Sequence, residues 1–178
     1  MATVTISMFF LTVALGLYAP TSNTTSVVDS DLVGHWHFDE GSGTSLSDSS
    51  GNGNTGTIYG ATWTNGISGN ALRFDGENDY VKIRVSGESL DFAGETFSWE
   101  IWINRERVKT VTQPLIIQGY ESTNRCLHIV FRHNNVFAFA FWANDLDTSP
   151  ISYSNTSEWH QWAGTYDAST NQRKLYRD

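Results

Sequence analysis

Residues 127–142 read LHIVFRHNNVFAFAFW, and this stretch decides the fold. Large apolar residues alternate with small or polar ones on both sides of His133-Asn134-Asn135, with the period of two that is typical of β-strands. Asparagine tolerates the left-handed backbone of a tight turn, so the two halves are predicted to form an antiparallel hairpin. One face of this hairpin is predicted to enter a hydrophobic core. The core side chains are Leu127, Ile129, Phe131, Phe137, Phe139 and Phe141.

The opposite face of the hairpin, called here the hairpin face, is a candidate binding surface. In the predicted register His128, Val130 and Arg132 lie opposite Ala140, Ala138 and Val136, with Trp142 at the far end. The small alanines leave a shallow trough, and Trp142, His128 and Arg132 offer a stacking ring and hydrogen-bond donors, as a sugar-binding surface requires. The alternative is that another strand or loop covers this face and Trp142 is ordinary packing.

Short alternating runs separated by Gly, Asn, Asp and Ser continue along the whole chain and predict an all-β fold, an antiparallel two-sheet sandwich. The predicted strands are 32–39, 56–59, 71–74, 80–85, 96–104, 114–119, 127–132, 136–142, 159–166 and 173–177. In the strand 96–104, Phe97, Trp99, Ile101 and Ile103 suit the core, which leaves Trp102 on the other face. Trp102 is therefore either a second stacking ring or a residue packed under a loop.

Length and charge limit the function classes. The 178 residues suit one domain, and the net charge of −8, with no basic residue before Arg73, excludes nucleic acid as an expected partner. Residues 1–25 are predicted to be a signal peptide because the apolar run 6–19 is too short to span a bilayer comfortably; an uncleaved anchor is the alternative. The domain, 26–178, is thus expected to be secreted, with no membrane contact beyond the leader.

An acidic, Gly-rich segment is a candidate cation site. Asp48, Ser50, Asn52 and Asn54 recur at every second residue, and their oxygens suit a hard cation such as Ca²⁺. The alternative is an Asn/Gly turn that hydrogen-bonds to itself.

Four segments together resemble the laminin-G-like jelly-roll family of the concanavalin A-like lectin/glucanase superfamily, which also holds the pentraxins. They are 32–43 (LVGHWHFDEGSG), 48–56 (DSSGNGNTG), 71–81 (ALRFDGENDYV) and 159–167 (WHQWAGTYD). The resemblance runs from about Leu32 to the chain end and implies a jelly roll in which Gly76 and Asn78 turn the chain between Leu72 and Tyr80. Family members continue into further strands after a turn that resembles 176–178, so this chain is expected to lack its last strands.

Catalysis is not expected from these residues. The Glu-x-Asp-x-x-Glu arrangement of the glucanase branch is missing, and Asp75, Glu77 and Asp79 lie in a predicted turn where their acidity is expected to be ordinary. The sequence therefore favours a non-catalytic module that binds glycans. The alternatives are an extracellular protein-interaction or adhesion domain and, less favoured, a glycoside hydrolase of the glucanase branch.

Overall fold

A computed structural model describes residues 3–9, 11–16, 32–84, 92, 94–119, 126–141, 144–147, 153 and 156–178, the first two of these ranges as backbone only. The strands in this part of the chain are β1 (Thr3–Phe9), β2 (Leu11–Gly16), β3 (His35–Trp36), β4 (Ser45–Leu46), β5 (Gly56–Tyr59), β6 (Thr62–Asn65), β7 (Asn70–Arg73), β8 (Asp75–Arg84), β9 (Phe97–Arg105), β10 (Gln113–Gln118), β11 (Leu127–Phe131), β12 (Phe137–Phe141), β13 (Asn144–Asp147), β14 (Trp159–Asp167) and β15 (Gln172–Arg177).

These strands form two main antiparallel sheets and one small one. The first sheet has the order β13-β12-β11-β10-β1-β8-β5-β4, the second has the order β15-β14-β9-β2-β3, and β6 pairs with β7. The predicted all-β sandwich, consistent with a jelly roll, is confirmed. Among the described residues there is no helix of the length and hydrophobicity needed to cross a bilayer.

The predicted hairpin is confirmed in its register. β11 and β12 pair so that Ile129 lies opposite Phe139 and His128 lies opposite Ala140. The turn closes through Asn135, whose φ of 65° is left-handed and whose amide donates to the carbonyl of Arg132 at 2.9 Å. The turn chemistry of asparagine and the alternation of phenylalanines were sufficient to fix this element.

Aromatic rings fill the space between the two main sheets. Phe137 of the first sheet stacks on Trp162 of the second, with ring centroids 4.0 Å apart, and Phe139 meets Trp99 edge to face at 5.5 Å. The buried residues of β9 are Phe97, Trp99, Ile101, Ile103 and Arg105, in strict alternation with half-buried ones. The residues between them, including Trp102, therefore lie on the outer face of the second sheet.

One predicted pairing is wrong. β7 does not form a hairpin with β8 across Gly76; it pairs with β6, so that Leu72 lies opposite Trp63. Residues 75–78 do form a turn, but it lies within the first residues of β8: the Asp75 side chain accepts hydrogen bonds from the amides of Glu77 and Asn78, and the register with β1 is irregular there. β8 pairs with β1 and β5 in the first sheet.

Two strands lie inside the segment predicted to be a signal peptide. β1 lies between β10 and β8 in the first sheet, and β2 lies between β9 and β3 in the second. Strand pairing of this segment does not test whether it is cleaved, so the leader, the domain boundary at residue 26 and the missing last strands stay predictions.

Candidate functional site

The hairpin face is closed to solvent at its centre. Ala138 and Ala140, the predicted floor of the trough, are each 0 % exposed, and Val130 beside them is buried. His128 and Arg132 are half-buried, and the Nδ1 atom of His128 lies 3.2 Å from the carbonyl oxygen of Cys126. Trp142 lies outside the described residues. Cys126 itself is buried.

These positions favour the alternative interpretation of the hairpin face, in which it is covered. A floor that solvent cannot reach gives a sugar ring no surface to lie on. The predicted grouping of Trp142, His128 and Arg132 as a binding site stays a prediction.

Trp102, the fourth predicted ligand-binding residue, lies in a more open setting. It is half-buried on the outer face of the second sheet, opposite Gln161 of β14. Two residues along β9, Glu100 lies opposite Ala163. On the other side of β14, Ala163 lies opposite Tyr176 of β15, which is 51 % exposed.

These five residues, Glu100, Trp102, Gln161, Ala163 and Tyr176, are called here the outer platform. Strands lie about 4.8 Å apart, so β9 and β15 are about 10 Å apart with β14 between them. The methyl group of Ala163 is thus a low centre, with Tyr176 directly beside it and Trp102 diagonally across. Two rings around a small side chain form a shallow, partly apolar surface.

A polar pair borders this surface. The Gln161 amide Nε2 donates to the Glu100 Oε2 at 3.2 Å. Burial raises the pKa of the Glu100 carboxyl because the charged form is partly desolvated. The pair exposes a carboxylate acceptor beside an amide that can both donate and accept, a combination that suits hydroxyl groups.

Sequence reasoning missed most of the outer platform. Gln161, Ala163 and Tyr176 were assigned only to strands, and Trp159, half-buried on the same outer face opposite Asn104, was assigned to a core strand. The alternation in WHQWAGTYD was a usable signal, because Trp162, Gly164 and Tyr166 are buried and the residues between them face outward. What the sequence lacked was the pairing of β9 with β14 and β15.

The predicted calcium loop is hydrogen-bonded to itself. The Asp48 Oδ1 accepts from the amides of His35 at 3.0 Å and Ser50 at 2.9 Å, and its Oδ2 accepts from the amide of Asn54 at 2.9 Å. The Ser50 hydroxyl oxygen accepts from Asn52, whose side chain also donates to the carbonyl of Leu32 at 2.7 Å.

These contacts do not fit a cation site well. Asp48 faces backbone N–H groups, and the Ser50 hydroxyl is already engaged, so the oxygens that Ca²⁺ would need serve the loop instead. The buried Asn54 side chain donates to the carbonyl of Val33 at 2.8 Å, while its Oδ1 has no donor in the described part of the chain. Within that part no group of three or more His, Cys, Asp or Glu side chains is placed to hold a metal. Calcium stays a prediction, and the geometry supports the alternative.

The carboxylates of the 75–79 turn are also structural. Asp75 accepts amide hydrogen bonds, first from Glu77, and these lower the pKa of its carboxyl rather than leaving it ordinary as expected. Asp79 is buried and accepts from the amide of Asp75 at 2.8 Å. The Asp75 carboxyl, whose charged form these amides favour, is therefore poorly suited to donate a proton.

Comparison with known protein families gives a match. The family described as the concanavalin A-like lectin/glucanases superfamily, in its laminin-G-like member, matches residues 75–178, which is more than half of the chain. No curated protein and no solved structure matched the chain.

Proposed function

We propose, from the premise that this chain belongs to the laminin-G-like family of the concanavalin A-like lectin/glucanases superfamily, that it is a non-catalytic module that binds carbohydrate outside the cell. The ligand lies on the outer platform of the second sheet. The observation that carries this proposal is the pair of rings, Trp102 and Tyr176, around the small side chain of Ala163.

The rings supply the apolar part of the recognition. A sugar ring presents C–H groups on one face, and an aromatic side chain offers a flat surface for them at a low cost in conformational entropy. Ala163 leaves room above the sheet that a larger residue would occupy. Tyr176, at 51 % exposed, has area to bury against a ligand.

The polar pair supplies the orientation. Glu100 and Gln161 lie on the same face as Trp102 and already hydrogen-bond to one another at 3.2 Å. The free lone pairs of the carboxylate and the amide oxygen accept from sugar hydroxyls, and the second amide proton donates to one.

The same face argues against glycoside hydrolysis. That chemistry requires two carboxyl groups about 5–9.5 Å apart. Asp167 is the next carboxylate along β14 and lies four residues beyond Ala163, which is about 13 Å at the rise of a strand. Asp167 is therefore too far from Glu100 to act as its catalytic partner, and the carboxylate of Asp178, at the end of β15, is engaged with the Nδ1 of His160 at 3.1 Å.

Glycan-array screening followed by titration calorimetry tests the proposal. Trp102→Ala and Tyr176→Ala are expected to weaken binding at least about tenfold, because each removes a stacking surface worth about 1.4 kcal/mol. Tyr59→Ala is the matched control, since Tyr59 is an exposed tyrosine on the other sheet.

Equal binding by all three variants and the unmodified protein would exclude the outer platform. If the unmodified protein binds no glycan, the second candidate, an extracellular protein-interaction domain, takes precedence. The observation that favours it is the exposed Tyr59, which stacks on the half-buried Tyr80 with ring centroids 4.6 Å apart and offers an aromatic contact surface.

A further inference from the structure

A small cavity at one end of the sandwich, called here the end cavity, has chemistry that the proposed function does not use. Its walls include Arg105 of β9, Arg177 of β15, the rings of Tyr153 and Trp162, and, towards the surface, His160 and Glu158. Its volume is about 10 Å³, which is room for roughly one water-sized particle.

Arg105 is a buried cation with neutral partners. It is 5 % exposed, and its guanidinium donates to the side-chain oxygen of Gln113, to the Asn135 Oδ1 at 2.9 Å and to the carbonyl of Tyr153 at 2.9 Å. Its guanidinium carbon lies 4.3 Å from the centre of the Phe131 ring. Burial lowers the pKa of Arg105 to about 10, which still leaves it charged at neutral pH.

Arg177 brings a second guanidinium to the same cavity. Its carbon lies 4.8 Å from the centre of the Tyr153 ring and 5.4 Å from that of Trp162. Its Nε is buried and has no acceptor in the described part of the chain, and the same holds for the Nε2 of Gln113, the residue that accepts from Arg105. Donors therefore outnumber acceptors around this end of the sandwich.

The nearby carboxylates do not balance these charges. Glu158 and Asp178 both lie against His160, at 3.6 Å from its Nε2 and 3.1 Å from its Nδ1, and their side chains are 69 % and 41 % exposed. The contacts that Arg105 and Arg177 make in the described part of the chain are to side-chain amide oxygens, a backbone carbonyl and aromatic rings, all of them neutral. Buried charges are normally compensated by a partner of opposite sign.

We propose that the end cavity binds one small monovalent anion of halide size between Arg105 and Arg177. An anion would accept a hydrogen bond from the buried Nε of Arg177. It would also compensate the positive charge of Arg105, whose guanidinium has only neutral partners. The small volume excludes larger anions such as sulfate. The site is separate from the outer platform, because Arg177 and Trp162 face the interior while Tyr176 faces outward.

Thermal unfolding at constant ionic strength tests this inference. When sodium gluconate, whose anion is too large for the cavity, is replaced stepwise by sodium chloride or bromide, the melting temperature is expected to rise by about 2–4 °C and then saturate. A melting temperature that does not change with the halide would overturn the proposal.

Arg177→Gln and Arg173→Gln are matched variants. Both residues lie on β15, and both changes remove one positive charge, but Arg173 stacks near Phe141 and does not line the cavity. The halide-dependent rise is expected to vanish in Arg177→Gln and to persist in Arg173→Gln; its loss or persistence in both would refute the assignment. If Arg177→Gln does not fold, anomalous scattering from bromide in crystals of the unmodified protein tests the assignment. Bromide is expected between the two guanidinium groups and nowhere else in the interior, and its absence there would refute the proposal.

Discussion

At the scale of single residues, Gly164 shows how little space the core leaves. A Cβ atom at this position would lie 2.6 Å from both the Cε2 and the Nε1 of Trp99, a buried ring between the sheets. Gly164 lies directly opposite Trp99 in the β14–β9 pair, so neither strand can move away without breaking the backbone hydrogen bonds between them. The glycine is required by close packing.

Gly164→Ala is expected to lower the free energy of unfolding by about 1–3 kcal/mol, because overpacking forces Trp99 from its position. Chemical denaturation followed by tryptophan fluorescence measures it. Thr165→Ala, the next residue along and exposed, is the control and is expected to change stability by less than about 0.5 kcal/mol. A similar loss in both variants would show that Trp99 can relax.

At the scale of elements, the sequence predicted some strands well and others poorly. The β11–β12 hairpin was predicted in its register because alternating phenylalanines and an Asn-Asn turn specify both faces and the connection. The partner of β7 was mispredicted because β6, Thr62–Asn65, is a short strand of exposed and half-buried residues with no apolar alternation to reveal it. The outer platform could not be predicted for a related reason: it combines three strands whose pairing is set by the core on their other face.

The loop 48–54 is an element held by one carboxylate. Burial alone raises the pKa of Asp48, but hydrogen bonds from His35, Ser50 and Asn54 outweigh it and lower the pKa below its ordinary value. Asp48 thereby connects β3 to a loop that also buries Asn54, whose carbonyl accepts from the Trp36 indole at 2.9 Å.

Asp48→Asn is expected to lower stability at neutral pH by about 1–3 kcal/mol, since an amide replaces a charged acceptor of three backbone hydrogen bonds. Asp167→Asn is the control, because Asp167 accepts only from the adjacent Ser169 and Thr170 in an exposed turn. Thermal melting at neutral pH makes the comparison, and equal melting temperatures for the two variants would contradict the structural role of Asp48.

The same melting experiment with millimolar calcium separates the two interpretations of this loop. Because the Asp48 oxygens are engaged by amides, the melting temperature of the unmodified protein is expected not to rise. A rise that Asp48→Asn abolishes would establish the cation site that the spacing of Asp48, Ser50, Asn52 and Asn54 predicted.

At the scale of the whole molecule, the inner and outer faces of the two main sheets have different roles. Both inner faces are used for the aromatic core, so the surfaces open to contact are the outer faces and the end of the sandwich. The family match covers residues 75–178 and thus includes every strand of the outer platform. Fold class followed from sequence patterns, whereas the location of a site depended on which strands the sheets bring together.

As pH falls from neutral, the change in global stability is expected to come mainly from the protonation of His35. Burial, and then the charge of His37 with its ring 4.0 Å away, lower the pKa of His35 below 6.5, against a smaller opposing effect of Asp48. A base with a lowered pKa in the folded state contributes stability that is present above its unfolded pKa and is lost as pH falls. Glu100, whose pKa is raised by burial, acts in the opposite sense, because the stability that it contributes is lost as pH rises.

Melting temperatures at about pH 7.5 and about pH 5.5 test the role of His35, because the interval spans the titration of an unfolded histidine. The unmodified protein is expected to melt lower at the acidic pH, and His35→Asn is expected to lose most of that difference. His133→Asn, in the exposed turn of the β11–β12 hairpin, is the control and is expected to keep it. If His35→Asn keeps the full difference, the acid sensitivity lies elsewhere and the contact of His35 with His37 does not govern it.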